Sequence, residues 1–289
     1  MRNQIILLKE YSRPQKMGIV ITTSEGGVIL VDGGYACEAE ETLERLREIT
    51  GKRVPHLDAV ILTHPHRDHI GVFVEWAGAR EGEIEFDRVY YNFPSVSFMA
   101  DNGEPNEAEI LSEFYALLPR FAEKARIISG GDTFTVRGAH FRVLYTTDCE
   151  FTMNVGNNAS AVFEMTLSGK KTLFLGDCGV EAGEKLIRMY GDGLKADLCQ
   201  MAHHGQNGVT KAFYEIVRPS TCLWCAPDWL WNNDAGLGFN THVFQTVTVR
   251  GWMDEISPDR RDYVTMNGEQ TVELDEIDDP MLVVRISED

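Results

Sequence analysis

What the chain has little of limits it first. None of its 289 residues fall in an apolar stretch approaching the about 18 needed to span a membrane as a helix. The opening, MRNQIILLKEYSRPQKMG, has a short apolar run from Ile5 to Leu8 and no small-residue cleavage site after it, so it does not read as a secretion signal. The expectation is a cytoplasmic protein with no membrane partner. Cysteine is sparse: Cys37, Cys149, Cys178, Cys199, Cys222 and Cys225 are scattered, which suits reduced and mostly buried thiols. Cys222 and Cys225 form a lone CxxC without the second pair a zinc ribbon needs, and their apolar setting predicts a buried strand. Positive charge is scarce too, with 27 Lys and Arg against 45 Asp and Glu, a net charge of -18. That argues against a dedicated nucleic-acid surface, which normally carries a basic stripe. It does not exclude a phosphate-bearing substrate, because a bound dication makes a pocket locally positive. Low-complexity tracts, long linkers and repeats of 20–50 residues are absent, so residues 1–289 are expected to form one domain.

What is present is a series of short apolar runs punctuated by Gly, Asp and Asn. GIVITT (18–23) and GGVILVDGG (26–34) predict a strand pair, and LDAVILT (57–63) a buried strand. ETLERLREIT (41–50) and HIGVFVEWA (69–77) have helical spacing. NEAEILSEFYALLPRFAEKA (106–125) predicts the longest helix, with a kink or break at Pro119. Two hairpins are expected over 133–146 and 160–177, followed by helices and strands in alternation. Such an order suggests sheets covered by helices on the outside. Several residues with ligand chemistry stand just past apolar strands: Asp32, His64, Asp177 and His203.

The densest of these places is THPHRDHIGV (63–72), where His64, His66, Asp68 and His69 fall within six positions. Imidazole is the commonest protein ligand for zinc and its neighbours. In an extended segment residues two apart face one way, so His64 and His66 can share an ion. Asp68 and His69 follow where the chain bends into a helix and can turn toward a second ion. A solvated histidine-rich loop capped by Asp68 is the plainer alternative, but four potential ligands directly after an apolar strand weigh against it.

HPHRDH (64–69) fits an HxHxDH pattern; VDGG (31–34), FLGD (174–177) and MAHHG (201–205) complete a set of motifs that, in this order, resembles the metallo-β-lactamase superfamily over roughly residues 18–250. The resemblance implies an αββα four-layer sandwich, of the α/β (α+β) class. It implies that His64 and His66 bind one metal, that Asp68 and His69 bind another, and that Asp177 bridges them. His203, first past the strand DLCQMA, would complete the second site, with His204 as the fallback ligand or a substrate-facing acid. Asp32 would orient a ligand histidine from behind. One position departs from the pattern. A ligand histidine is usual shortly before a Ser-containing strand, and here NVGNNASAVFEM (154–165) puts Asn157 or Asn158 in its place. Asparagine is a weaker ligand for zinc than imidazole. The NNxS, GD and HHG order is similar to the branch holding the C-terminal domains of DNA-uptake competence channels and the phosphorylcholine esterases. In that branch a further histidine follows, and His242 stands at a comparable place, as a ligand or proton donor.

The expected activity is therefore metal-dependent hydrolysis by a dinuclear centre, most consistent with a phosphodiester or related small phosphoester substrate. Asp68 or Asp177 would take the nucleophile's proton, and His204 or His242 would protonate the leaving group. Lactones, thioesters and β-lactams are the alternative substrates. Di-iron redox chemistry and a non-catalytic metal-binding module are the alternatives from other classes. Zinc, as one or two ions, is the expected cofactor, and manganese or iron would suit a carboxylate bridge. The sequence leaves the oligomeric state open.

Overall fold

A computed structural model describes residues 1–12 and 14–276. Two seven-stranded sheets form its centre. The first runs, in spatial order, through Gln270–Glu273, Gln4–Leu7, Gly18–Thr22, Val28–Asp32, Ala59–Ile61, Val89–Tyr91 and Ala125–Ile127. The second runs through Arg261–Val264, Thr221–Trp224, Leu198–Gln200, Lys170–Phe174, Val162–Leu167, Ala139–Tyr145 and Thr133–Val136. His56–Leu57 and Glu85–Phe86 pair separately.

The layering follows from side-chain alternation along strands that are buried on both faces. In Val28–Asp32, Ile29 and Val31 point toward the other sheet and meet Phe141, Phe163, Phe174 and Leu198. Val28 and Leu30 point outward and pack with Leu43, Phe73, Trp76 and Phe114 from the helices Ala39–Thr50, Arg67–Gly78 and Pro105–Phe121. The second sheet does the same: Cys199 and Cys222 face Leu186, Phe213 and Met253 of the other helical layer. Helix, sheet, sheet, helix is the expected four-layer sandwich. The CxxC pair is split by this alternation, with Cys222 in the outer core and Cys225 in the core between the sheets. The two hairpins of the second sheet turn at Arg137–Gly138 and Ser168–Gly169, all four residues having positive φ, the geometry that matches strand twist.

Three details differ from the sequence reading. Pro119 does not break its helix; it lies in the last turn of Pro105–Phe121, where a missing N–H costs one bond. The strand expected over 57–63 is split into His56–Leu57 and Ala59–Ile61. The strands Gln4–Leu7, Arg261–Val264 and Gln270–Glu273 had no clear signal, and they close both sheets by pairings between distant parts of the chain. Among the described residues, no helix is long and apolar enough to cross a membrane.

Candidate metal centre

The strand ends of both sheets come together on one rim. Val28–Asp32 ends on Asp32, which is fully buried and left-handed at φ 55°. That turn points its carboxylate along the rim. Oδ1 accepts from the Thr63 amide at 2.8 Å, and Oδ2 accepts from the Thr63 hydroxyl at 2.7 Å and from His69 Nδ1 at 2.8 Å. Thr63 Oγ1 also lies 3.1 Å from His64 Nδ1. Two neighbouring imidazoles are thereby held from behind.

The second sheet contributes Asp177 and the histidine pair. Gly176, at φ 52°, sits where a Cβ would come within 3.0 Å of Thr63 and 3.1 Å of Ser160, and Ser160 Oγ accepts from the Asp177 amide. Buried Gln200 fastens this turn: its Oε1 accepts from the Leu175 and Gly176 amides, and its Nε2 donates to the Gly176 and Met201 carbonyls. His203 (φ 51°), His204 (φ 55°) and Gly205 (φ 83°) are left-handed in succession. Such a run is uncommon outside glycine and is kept only where its surroundings hold it. It reverses the order expected for the two histidines, because the chain no longer alternates as a strand would. His204 swings fully inside, its Nδ1 donating to the Cys225 carbonyl at 2.9 Å. The His203 side chain stays 20% exposed.

Asp68, His69, Asp177 and His204 form a group whose ligand atoms all lie within 4.8 Å of one another. His204 Nε2 is 3.2 Å from Asp68 and 3.5 Å from Asp177, and His69 Nε2 is 3.2 Å from Asp177. His64 and His203 flank the group, each with Nε2 just under 4 Å from Asp177 Oδ2, at 3.9 and 3.7 Å.

Buried polar atoms are nearly always hydrogen-bonded. Here the Nε2 atoms of His64, His69 and His204 and Oδ1 of Asp177 are buried without a hydrogen-bond partner. In each of these three imidazoles Nδ1 is engaged with a neighbour on the protein and Nε2 is left facing the cluster, the arrangement of a metal ligand. The donor set fits a dication. The electrostatics agree. Burial opposes charge on Asp68, but His69 and His204 hold its carboxyl down at about 2. Burial likewise opposes charge on Asp177, and His69, His204 and His203 hold it well below the usual carboxylate range. His64 is pushed well down by its burial and by the neighbouring His69 and His66, which favours its neutral form.

His66, Asn157, Asn158 and His242 lie outside this group. His66 does not face the group; its Nε2 lies 2.9 Å from Glu104 Oε2. Glu104 gave no signal in the sequence. Asn158 is spent on structure, its Nδ2 donating to the Met153 carbonyl and Glu181 and its Oδ1 accepting from the Ala182 amide. Asn157 donates to Asn154 and keeps a buried Oδ1 without a hydrogen bond. His242 sits on an aromatic loop, its ring stacked on Phe244 at 4.1 Å and its Nδ1 accepting from the Val243 amide. Cys178 is buried in the outer core, where burial pushes its thiol up. Trp224 is a core residue, and its indole N–H donates to Asp262.

Residues 15–84, which hold Asp32 and the HPHRDH segment, match the family model described as metallo-beta-lactamase superfamily. The chain is 27% identical over 178 residues to ComE operon protein 3 of Bacillus subtilis, an alignment covering 61% of this chain. The aligned part is 20% of that longer relative. Among solved structures, the metallo-beta-lactamase fold protein YhfI from Bacillus subtilis is similar with a TM-score of 0.54 and 13% identity, covering 93% of this chain and 99% of that one. CmlA, a diiron beta-hydroxylase from Streptomyces venezuelae, is similar with a TM-score of 0.54 and 11% identity, covering 94% of this chain and 54% of that one. These structural likenesses concern the fold.

Proposed function

We propose that this chain, which belongs to the metallo-β-lactamase superfamily, is a metal-dependent hydrolase acting on a phosphodiester or related phosphoester. One observation carries the reading: His69, His204 and Asp177 aim buried atoms without hydrogen bonds at a common point, beside Asp68. Asp68, His69, Asp177 and His204 would hold one dication, with His64 placed to serve a second across Asp177. A dication bound there supplies an activated water at neutral pH and a positive charge facing the developing oxyanion. The protein's own part is positional. Asp32 and the Cys225 carbonyl fix the tautomers of His69 and His204. Asp68 and Asp177 stay ionised and can accept a proton from the nucleophile. His203 is the imidazole at the mouth, partly exposed and 3.7 Å from Asp177, placed to hydrogen-bond a leaving group, while its burial lowers its pKa and disfavours the charged form. This exchanges the roles first expected of His203 and His204.

The choice of a phosphoester rests on the NNxS, GD and HHG order and on no contact in the site. Zinc suits the imidazoles. Purified protein should carry metal and turn over bis-(p-nitrophenyl) phosphate, and D177N and H204A should lose both. Hydrolysis of a lactone, thioester or β-lactam panel in its place would sink the phosphoester assignment and keep the hydrolase. A second reading, oxygen chemistry at two irons, is favoured by the carboxylate share of the donor set and by the fold likeness to a diiron hydroxylase. Iron content with a visible absorption band would select it.

A further inference from the structure

The turn that carries His203 and His204 continues into a cleft. About 380 Å³ of open space is lined by residues that include Val180, Gln206, Asn207, Lys211, Gln245 and Trp252. Two of these continue segments of the metal centre: Val180 stands three residues past Asp177, and Gln206 two past His204. Trp252 belongs to the helix Thr246–Ile256, and Gln245 is the residue before it. The Gln245 amide donates to Asn207 Oδ1 at 3.0 Å and ties that helix to the turn.

Gln206 is the residue the fold does not account for. It is only 3% exposed. Its backbone is spent, with its N–H donating to the His203 carbonyl at 2.8 Å and its carbonyl accepting from the Gly208 amide at 3.0 Å. Its side-chain Oε1 is buried and has no hydrogen-bond partner. Gln200, buried nearby in the chain, uses its amide for four bonds. Buried acceptors are nearly always met, so an open one beside a cleft suits a donor brought by a ligand.

We propose that this cleft is a substrate subsite in which Gln206 recognises an uncharged, amide-bearing group, one with an N–H beside a C=O. The lining supports that class. Among the described residues no carboxylate lines the cleft, although the chain has a net charge of -18. Its one ammonium, Lys211, is already paired with Glu255, so an anionic group has no open cation to meet there. What is left are the amides of Gln206, Asn207 and Gln245 and the apolar surfaces of Val180 and Trp252. A glutamine amide carries acceptor and donors side by side and so matches another amide edge. An indole covers the flat apolar remainder of such a group. Calling the occupant a substrate rests on the hydrolytic reading above; its binding does not.

The test is binding of neutral probes to the full chain, by calorimetry and saturation-transfer NMR. Uridine, a ring imide, is compared with ribose, and N-acetylglucosamine, an open-chain amide, with glucose. At least one amide-bearing probe should bind at least tenfold tighter than its counterpart, and which one does so separates the two sources of the amide. Q206L should abolish that preference. V180W, at a position 40% exposed, should narrow the cleft and weaken the same probe without disturbing the fold. Equal binding of both members of each pair would overturn the proposal, as would a Q206L variant that is folded by circular dichroism and keeps the preference. Turnover of bis-(p-nitrophenyl) phosphate without any amide preference would sink the subsite and spare the hydrolase. Amide binding without phosphoester turnover would sink the phosphoester assignment and spare the cleft.

Discussion

Asp32→Asn is the most instructive single change, because its outcome follows from counting donors. The Asp32 carboxylate accepts three hydrogen bonds, from the Thr63 amide at Oδ1 and from the Thr63 hydroxyl and His69 Nδ1 at Oδ2. An amide has one acceptor oxygen. If that oxygen takes the Oδ2 place, the new NH2 faces the Thr63 N–H, and both are buried donors without an acceptor. If it takes the Oδ1 place, the NH2 faces His69 Nδ1. The imidazole must then accept at Nδ1 and carry its proton on Nε2, the atom aimed at the metal group. One orientation costs stability, about 1–3 kcal/mol for an unmet buried polar group. The other costs ligation, on the order of 10–100-fold in metal affinity. The change in volume is negligible, so packing contributes little. Thermal unfolding of chelator-treated protein reads the first cost, and zinc competition against a chromogenic chelator reads the second. D32N should fail at least one of the two. If the variant melts with wild type and binds zinc equally well, Asp32 does not set the His69 tautomer and the reasoning is wrong.

Gly205→Ala should be far more costly than Gly26→Ala, although both glycines have φ near 80°. A Cβ at Gly205 would meet the fully buried Trp224 ring at 2.3 Å, whereas Gly26 has open space. The loss in urea midpoint should correspond to several kcal/mol at Gly205 and to about 1 kcal/mol at Gly26; equal losses would show that the turn under His204 is free to move. The chelated protein should also have a stability optimum on the acid side. Asp68 and Asp177 have depressed pKa values, so their stabilisation is present above about pH 4 and is lost as pH falls through the folded values. His69 and His204 have raised values, so theirs is complete below roughly pH 6.5 and is lost as pH rises through the folded values. His64 and His203 have lowered values, so their stabilisation is present above roughly pH 6.5 and is lost as pH falls below it. Melting temperature without metal should therefore peak near about pH 6.5, and the gain on adding zinc should grow above it as protons stop competing. A metal-free profile that is flat from pH 4 to 8 would contradict the coupled cluster. Gln200→Leu, which removes four bonds around the Gly176 turn, should lower stability by a few kcal/mol and loosen metal binding together; normal zinc affinity in that variant would separate the turn from the site.

Much of the sandwich was legible where local pattern and tertiary role coincide. GIVIT and VILVD are apolar at every position or nearly so because both faces of their strands are covered, and the helix over Arg67–Gly78 shows its buried stripe directly. The closing strands were not legible for the opposite reason. RDYV and QTVE carry polar residues on partly exposed edges, and what makes them strands is pairing to Thr221–Trp224 and to Gln4–Leu7. The histidine-rich segment was visible because strand end, ligands and helix start are contiguous. The order of His203 and His204 was not, since it depends on three successive left-handed residues whose only sequence trace is Gly205.

Glu104 marks the limit of such reading. The missing histidine near Asn157 could be noticed because a pattern predicted one, and the natural search for a substitute stays at the same place in the chain. The structure fills the space from another direction. Glu104 is 38 residues from His66 and 52 from Gly156, and neither separation has any local signature. The one sequence trace of this contact is a glycine. A side chain at position 156 would occupy the point where His66 and Glu104 meet, so the residue that makes the carboxylate's approach possible is the one with no side chain to offer. A Gly156→Ala variant should then push His66 and Glu104 apart and lower the urea midpoint by the equivalent of about 1–3 kcal/mol. A wild-type midpoint in G156A would mean that the two side chains move apart without cost.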